Sequence, residues 1–289
     1  RLKKNLLFPL QNTNRIIQRQ DTVALLHRET DLRSCLRELL LKVYDIERLN
    51  SRIVLGSANA RDLTALKQSL RQLPLIKEVL AGVEGTLLQT IHDSMDSLAG
   101  ICQLLETSIN EDAPVTLRDG KLIKTGYDKE LDEIHILLKN GKQLILDLEN
   151  KEKEASGIAK LKIGYNRVFG YYFEVSKLQQ TNVPDYFIRK QTLANAERFI
   201  TPELKEFETK VLGAQDKSVE LEYKLFCQVR SQIAEQSSTI LETAAHLADL
   251  DYFASLAEAA RRLKYVRPQI SNSDSISIID GRHPVIECS

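Results

Sequence analysis

The sequence predicts a mainly α protein: a helical bundle core with two long antiparallel helices that carry a small antiparallel β module. Three observations lead there. Only twelve Gly and seven Pro occur in 289 residues, and a chain so poor in helix breakers and so rich in Leu, Glu, Lys, Ala and Gln favours helices. Two runs, 129–154 and 203–235, carry apolar residues at a repeating three-and-four spacing, the narrow stripe of a paired helix. Between them lies GIAKLKIGYNRVFGYYFEVSKLQQTNVPDYFIRKQTLANAERFITP, Gly157 to Pro202, where a period of two and a concentration of aromatics mark strands.

In chain order, the start carries no helix-opening signal, so a piece of a longer chain is expected. From Ile16 and Ile17 through Val23, Leu26, Leu32, Leu36 and Leu40 the spacing predicts an amphipathic helix pair, with Asn12 or Thr13 as cap. Leu63, Leu66, Leu70 and Leu73 give a helix after Ser57 or Asn59, closed by Pro74, and 84–106 gives one more. The stretch 112–127, with a Pro, two Gly and an Asp-Gly pair, predicts a surface connector, or else a small hairpin. The first long helix bears the stripe Leu131, Ile134, Leu138, Gly141, Ile145 and Leu148, with Gly141 allowing close approach of a partner. The second bears Leu204, Phe207, Val211, Ala214, Ser218, Leu221 and Leu225. At 1.5 Å per residue these helices run roughly 40 to 50 Å, so an antiparallel pair should project as an arm. After a break at Ser237 and Ser238, the run 240–263 is apolar nearly all round and belongs inside a bundle with the N-terminal helices. Beyond Pro268, Ile276 and Ile278 followed by Asp280-Gly281 predict a strand and turn.

The β module divides into strands at 160–165, 171–175 and 186–193, with a short fourth at 195–200. The turn is Asn166 to Gly170, and Thr201 caps the returning helix with Pro202 at its first position. Alternation puts Tyr186, Ile188, Lys190 and Thr192 on one face of the third strand and Phe187, Arg189, Gln191 and Leu193 on the other. Net charge is zero over the whole chain, yet Ile158 to Ile200 holds seven basic residues against three acidic ones and eight of the seventeen aromatics. Most of those aromatics, Phe169 and Tyr171 to Phe173 among them, are expected to pack. Arg189, Lys190, Gln191, Thr192, Asn195 and Arg198 fall within ten positions and are the residue types that contact phosphates. No base-reading code accompanies them, so contact would be to a polyanion backbone, salt-sensitive and indifferent to sequence. Two other readings compete: the charges only solvate a small sheet, or the tip of a coiled-coil scaffold binds an acidic protein.

Other chemistry finds little support. The four cysteines are far apart without a C-x-x-C pair, and the five histidines are scattered, so neither disulfide nor metal is expected. No nucleophile elbow, zinc-protease or phosphate-loop motif occurs, so no catalytic residue is expected. No apolar run approaches the roughly 18 residues of a membrane span, and a cytosolic protein is expected.

LKIGYNRVFGYYFEVSK, PDYFIRKQTLANAERFITPELKEFE and the terminal DGRHPVIE closely resemble the MutS family of DNA mismatch repair proteins, and VTLRDGKLIKTGYDKELDEI is similar to its connector. The resemblance runs from end to end. It implies a core at 1–128 and 237–268, lever helices at 129–158 and 202–236, a DNA clamp at 159–201, and the start of an ATPase domain at 269–289. It implies that Arg189 to Arg198 contacts the duplex backbone, joined by Asn166 and Lys177. It further implies a homodimer, a MutL-type repair partner, and ATP with magnesium in the intact protein, with no cofactor in this stretch. Two hallmarks are absent here, the Phe-x-Glu mismatch wedge and the ATP-binding loop, so neither mismatch recognition nor ATP hydrolysis is expected of this chain alone.

Overall fold

The computed structural model describes residues 2–84, 86–166, 170–283 and 285–288. In chain order the α-helices are α1 (Leu2–Leu7), α2 (Thr13–Arg28), α3 (Thr30–Leu40), α4 (Ile46–Val54), α5 (Ala60–Leu70), α6 (Leu73–Leu80), α7 (Leu87–Ser94), α8 (Ala99–Ser108) and α9 (Lys129–Ser156). Then come strands β1 (Lys162–Asn166), β2 (Gly170–Ser176), β3 (Ile188–Thr192) and β4 (Ala196–Ile200), followed by α10 (Pro202–Glu235) and α11 (Ser237–Leu263). Among the described residues the protein is therefore mainly α with one small antiparallel sheet. It divides into two compact units, one of residues 1–50, 68–99 and 236–289, the other of 51–67 and 100–235.

In the first unit α11 packs on α2 and α3, and α6 and α7 close the bundle. Leu26, Leu36, Leu73, Ile76, Leu88, Ile240, Leu250 and Phe253 are buried, so stripes from separate helices meet in one core. Asn12 Oδ1 accepts the Arg15 N–H at the start of α2, the capping that its position predicts. Buried Arg33 donates to the carbonyls of Leu26 and His27 and pairs with Glu258 at 3.0 Å, which compensates a charge that would otherwise be costly to bury.

Two helix expectations and one strand expectation are corrected. The helix predicted over 84–106 is two, α7 and α8, because the Asp96 carboxylate accepts the Leu98 N–H at 2.6 Å and Leu98 turns left-handed, a local bond that competes with helix. Pro74 does not close a helix but sits in the first turn of α6, where its missing N–H costs nothing. The strand expected around Ile276 and Ile278 is irregular and exposed; a period-two run becomes a strand only with a ladder partner.

In the second unit α9 and α10 run antiparallel: Lys151 pairs with Glu203, Gly141 faces Phe207 and Val211, and Lys217 pairs with Glu130. The predicted stripes are the covered ones: Leu131, Ile134, Gly141 and Leu148 on α9 and Leu204, Ser218 and Leu225 on α10 are buried, and the other stripe residues are half-buried. A Cβ at Gly141 would lie 3.2 Å from Val211 Cγ2, which is why the seam carries glycine there. Near the far end of the pair, buried Glu222 of α10 accepts the Leu122 N–H and lies 3.3 Å from His135 Nε2 of α9. The stretch expected as a surface connector is thereby fastened to the helices, with Leu122 and Ile123 buried and Ile123 bridged to Ile109.

Candidate nucleic-acid interface

The sheet order is β1-β2-β4-β3, all antiparallel. Its inner face, Phe173, Val175 and Phe199, together with Phe187 just ahead of β3, packs on Leu148, Ile158, Leu161 and Leu204. Phe187 stacks on Phe173 at 5.1 Å between centroids. Tyr171 to Phe173 pack as expected; Arg167, Val168 and Phe169 lie outside the described residues.

On the outer face the Tyr172 ring covers Gly164, where a Cβ would be 2.7 Å from the ring. Arg198 sits above that ring at 4.2 Å, pairs with Glu174 at 3.3 Å and donates to Gln191 Oε1 at 2.9 Å. Stacking, ion pair and hydrogen bond together hold its guanidinium, and only 18% of the side chain is exposed.

The alternation expected on the third strand breaks at Lys190. Arg189 pairs with Phe199 and Gln191 with Arg198, so Lys190 is the unpaired residue of a β-bulge. A bulge shifts the residues that follow it by one, so Gln191 rather than Thr192 shares the outer face with Arg198. Lys190 is exposed on an edge strand, where a charge also discourages edge-to-edge association. Arg189 reaches Glu197 at 3.2 Å, an ion pair with one buried partner, while 55% of the arginine side chain is exposed.

Beyond the bulge the predicted residues gather at one end of the sheet. Thr192 pairs with Glu197, the chain turns through exposed Asn195, and the Asn195 carbonyl accepts the Lys177 N–H at 3.2 Å. Lys177 opens a short 3-10 helix, Lys177–Asn182, which the sequence did not announce. Arg189, Lys190, Thr192, Asn195 and Lys177 thus line the β3 edge and the adjoining end. Asn166 is not with them. It pairs with Gly170 at the opposite end, beside the point where α10 meets the sheet.

That meeting point holds residues which the reading by periodicity passed over. Glu149 Oε2 accepts the Ile163 N–H at 2.9 Å, Glu152 Oε2 accepts the Tyr186 hydroxyl at 2.6 Å, and Glu208 Oε1 accepts the Tyr171 N–H at 3.1 Å. Burial works against the Glu149 charge, but the Lys153 ammonium and the Ile163 amide outweigh it and hold its carboxyl below the usual range. The bond to Glu152 is the main reason why the Tyr186 phenol is pushed up to about 12. No spacing rule flags these acids, because a glutamate beside a helix seam reads as a solvated flank.

The family model described as MutS domain III matches residues 1–257. The chain belongs to the MutS domain III family. The DNA mismatch repair protein MutS of Ruminiclostridium cellulolyticum is 49% identical over 286 residues, covering 99% of this chain and 33% of that protein. Those of Acetivibrio thermocellus and Desulforamulus reducens are 46% and 47% identical over the same length and with the same coverage. This MutS domain III chain spans about a third of the length of the curated relatives it matches. Among the described residues no helix is long and apolar enough to cross a membrane, and no group of three or more His, Cys, Asp or Glu is placed to hold a metal ion.

Proposed function

We propose that this chain is the core, lever and clamp segment of a MutS-type mismatch repair protein, gripping the backbone of duplex DNA with the end of its β module. The observation that carries the proposal is the gathering of Lys190, Lys177, Thr192 and Asn195 on one sheet edge and end, with the inner-face phenylalanines turned onto the helices. Such an array offers donors to phosphates and no code for bases. Arg189 contributes charge from its pair with Glu197, while Gln191 and Arg198 brace the sheet behind it. Asn166, at the other end, would serve only a strand that passes along the arm.

The family match favours this reading over an acidic-protein scaffold. In the intact protein the paired helices would carry rotation between the clamp and an ATPase domain that binds ATP and magnesium, within a homodimer that engages a MutL-type partner in the cytosol. This segment's own part is mechanical: a stiff antiparallel pair turns a small rotation at its base into travel at its tip.

The test is fluorescence anisotropy of a labelled duplex over a salt series, with the double variant Lys177→Glu, Lys190→Glu. Arg189 is kept because it balances buried Glu197. Binding should fall log-linearly with salt, equally for matched and mismatched duplex. The variant's slope should drop by about two, one for each phosphate that a lysine no longer neutralises. An unchanged slope would refute the placement of the grip.

A further inference from the structure

We propose that Glu149, Glu152 and Glu208 form a three-point mount that fixes the tilt of the β module on its two helices. The acids come from both helices, two from α9 and one from α10, and bind three different segments of the module. Their partners are the β1 amide of Ile163, the β2 amide of Tyr171, and the hydroxyl of Tyr186 ahead of β3.

Two features separate this mount from incidental surface contacts. Glu152 and Glu208 are only 4% and 5% exposed, and a carboxylate is buried only where hydrogen bonds and countercharges repay its lost hydration. Lys205 lies 2.6 Å from Glu208, and Lys153 lies 2.6 Å from Glu149. The sheet also leaves room for one of the acids. A Cβ on Gly170 would collide with the Glu208 carboxylate, so the strand begins with the one residue that lets this side chain in.

The apolar contact between module and helices holds the two together but is non-directional and tolerates sliding. Hydrogen bonds are directional, and three of them on separate segments oppose tilt as well as translation. Resting on the DNA-gripping reading, the mount makes the grip a rigid extension of the arm, so that lever motion reaches the phosphate-facing end undiminished.

The test measures interspin distances between labels at Ala194, in the β3–β4 turn, and Gln215, on α10, both exposed. The four native cysteines are replaced by serine in this background. Glu208→Ala should widen the distance distribution at least twofold, and Glu208→Gln, which still accepts the Tyr171 N–H, should restore it. Tyr186→Phe removes only a hydroxyl and keeps the ring, so it reads the second anchor even if the alanine variant unfolds the module; its distribution should also widen. Unchanged widths in both Glu208→Ala and Tyr186→Phe would overturn the mount. These distances are read without DNA, so failure of the mount and failure of the duplex-binding reading show up in separate experiments.

Discussion

Gly170→Ala has a cost that can be worked out from two geometric facts. Gly170 has φ +76°, and a residue with a Cβ in that left-handed region is destabilised by about 1–2 kcal/mol. The added methyl also occupies the Glu208 carboxylate position. That side chain can swing away, but the Tyr171 N–H then loses a charged acceptor, a further penalty of about 1.5–3 kcal/mol. Full additivity would give about 2.5–5 kcal/mol, and because neighbouring effects do not add fully that range is an upper bound on the expected cost. Gly157→Ala is the control. It has φ +66° and nothing within 4 Å of its Cβ, so it should cost only the backbone penalty of about 1–2 kcal/mol. Hydrogen exchange of the β2 and β4 amides measures the opening free energy of the module directly. The double variant Gly170→Ala, Glu208→Ala should cost less than the sum of the two single changes, because both remove the same bond. If Gly170→Ala cost no more than Gly157→Ala, the reasoning that ties Glu208 to this strand would be refuted.

Three more outcomes are expected. Glu222→Ala should raise exchange in residues 109–123 and cost about 1–3 kcal/mol, since the buried Leu122 N–H would lose its acceptor; unaltered exchange there would count against the fastening. Gly141→Val should separate α9 from α10 at a cost of about 1–3 kcal/mol, because Val211 already stands 3.2 Å from the site of the new Cβ. By contrast Gly213→Ala, with nothing within 4 Å, should stabilise α10 by about 0.5–1 kcal/mol, and urea denaturation followed by circular dichroism distinguishes the two signs. The module should also lose order at both pH extremes, read by tyrosine absorbance and amide exchange. Glu149 has its pKa lowered on folding, so its contribution is present above the ordinary carboxylate value and is lost as pH falls through the depressed one. Tyr186 has its pKa raised, so its contribution is complete below the ordinary phenol value of 10.0 and is lost as pH rises through about 12. Tyr186→Phe should weaken the alkaline transition without removing it, because burial also pushes up the Tyr171 phenol of β2.

Periodicity is a property of a segment, and the sequence determined what segments determine. The stripes from Leu131 to Leu148 and from Leu204 to Leu225 named the faces that α9 and α10 bury. The switch to a period of two located the sheet, and the basic excess located its charge. Features that periodicity does not carry were read less well, as at 84–106, where one aspartate breaks a helix, and around Ile276, where the described residues supply no ladder partner. The tertiary structure alone decided which charges face outward and which act as supports. Arg198 and Lys190 look equivalent in the chain, yet one is stacked on Tyr172 and bonded to Glu174 and Gln191, while the other stands on a bulge at an open edge. Likewise Glu149, Glu152 and Glu208 became the attachment of the module only when strands distant in sequence brought donors to them. The physical reason is that amphipathic spacing encodes which way a side chain points, whereas a hydrogen bond or ion pair depends on what the rest of the chain places at the other end.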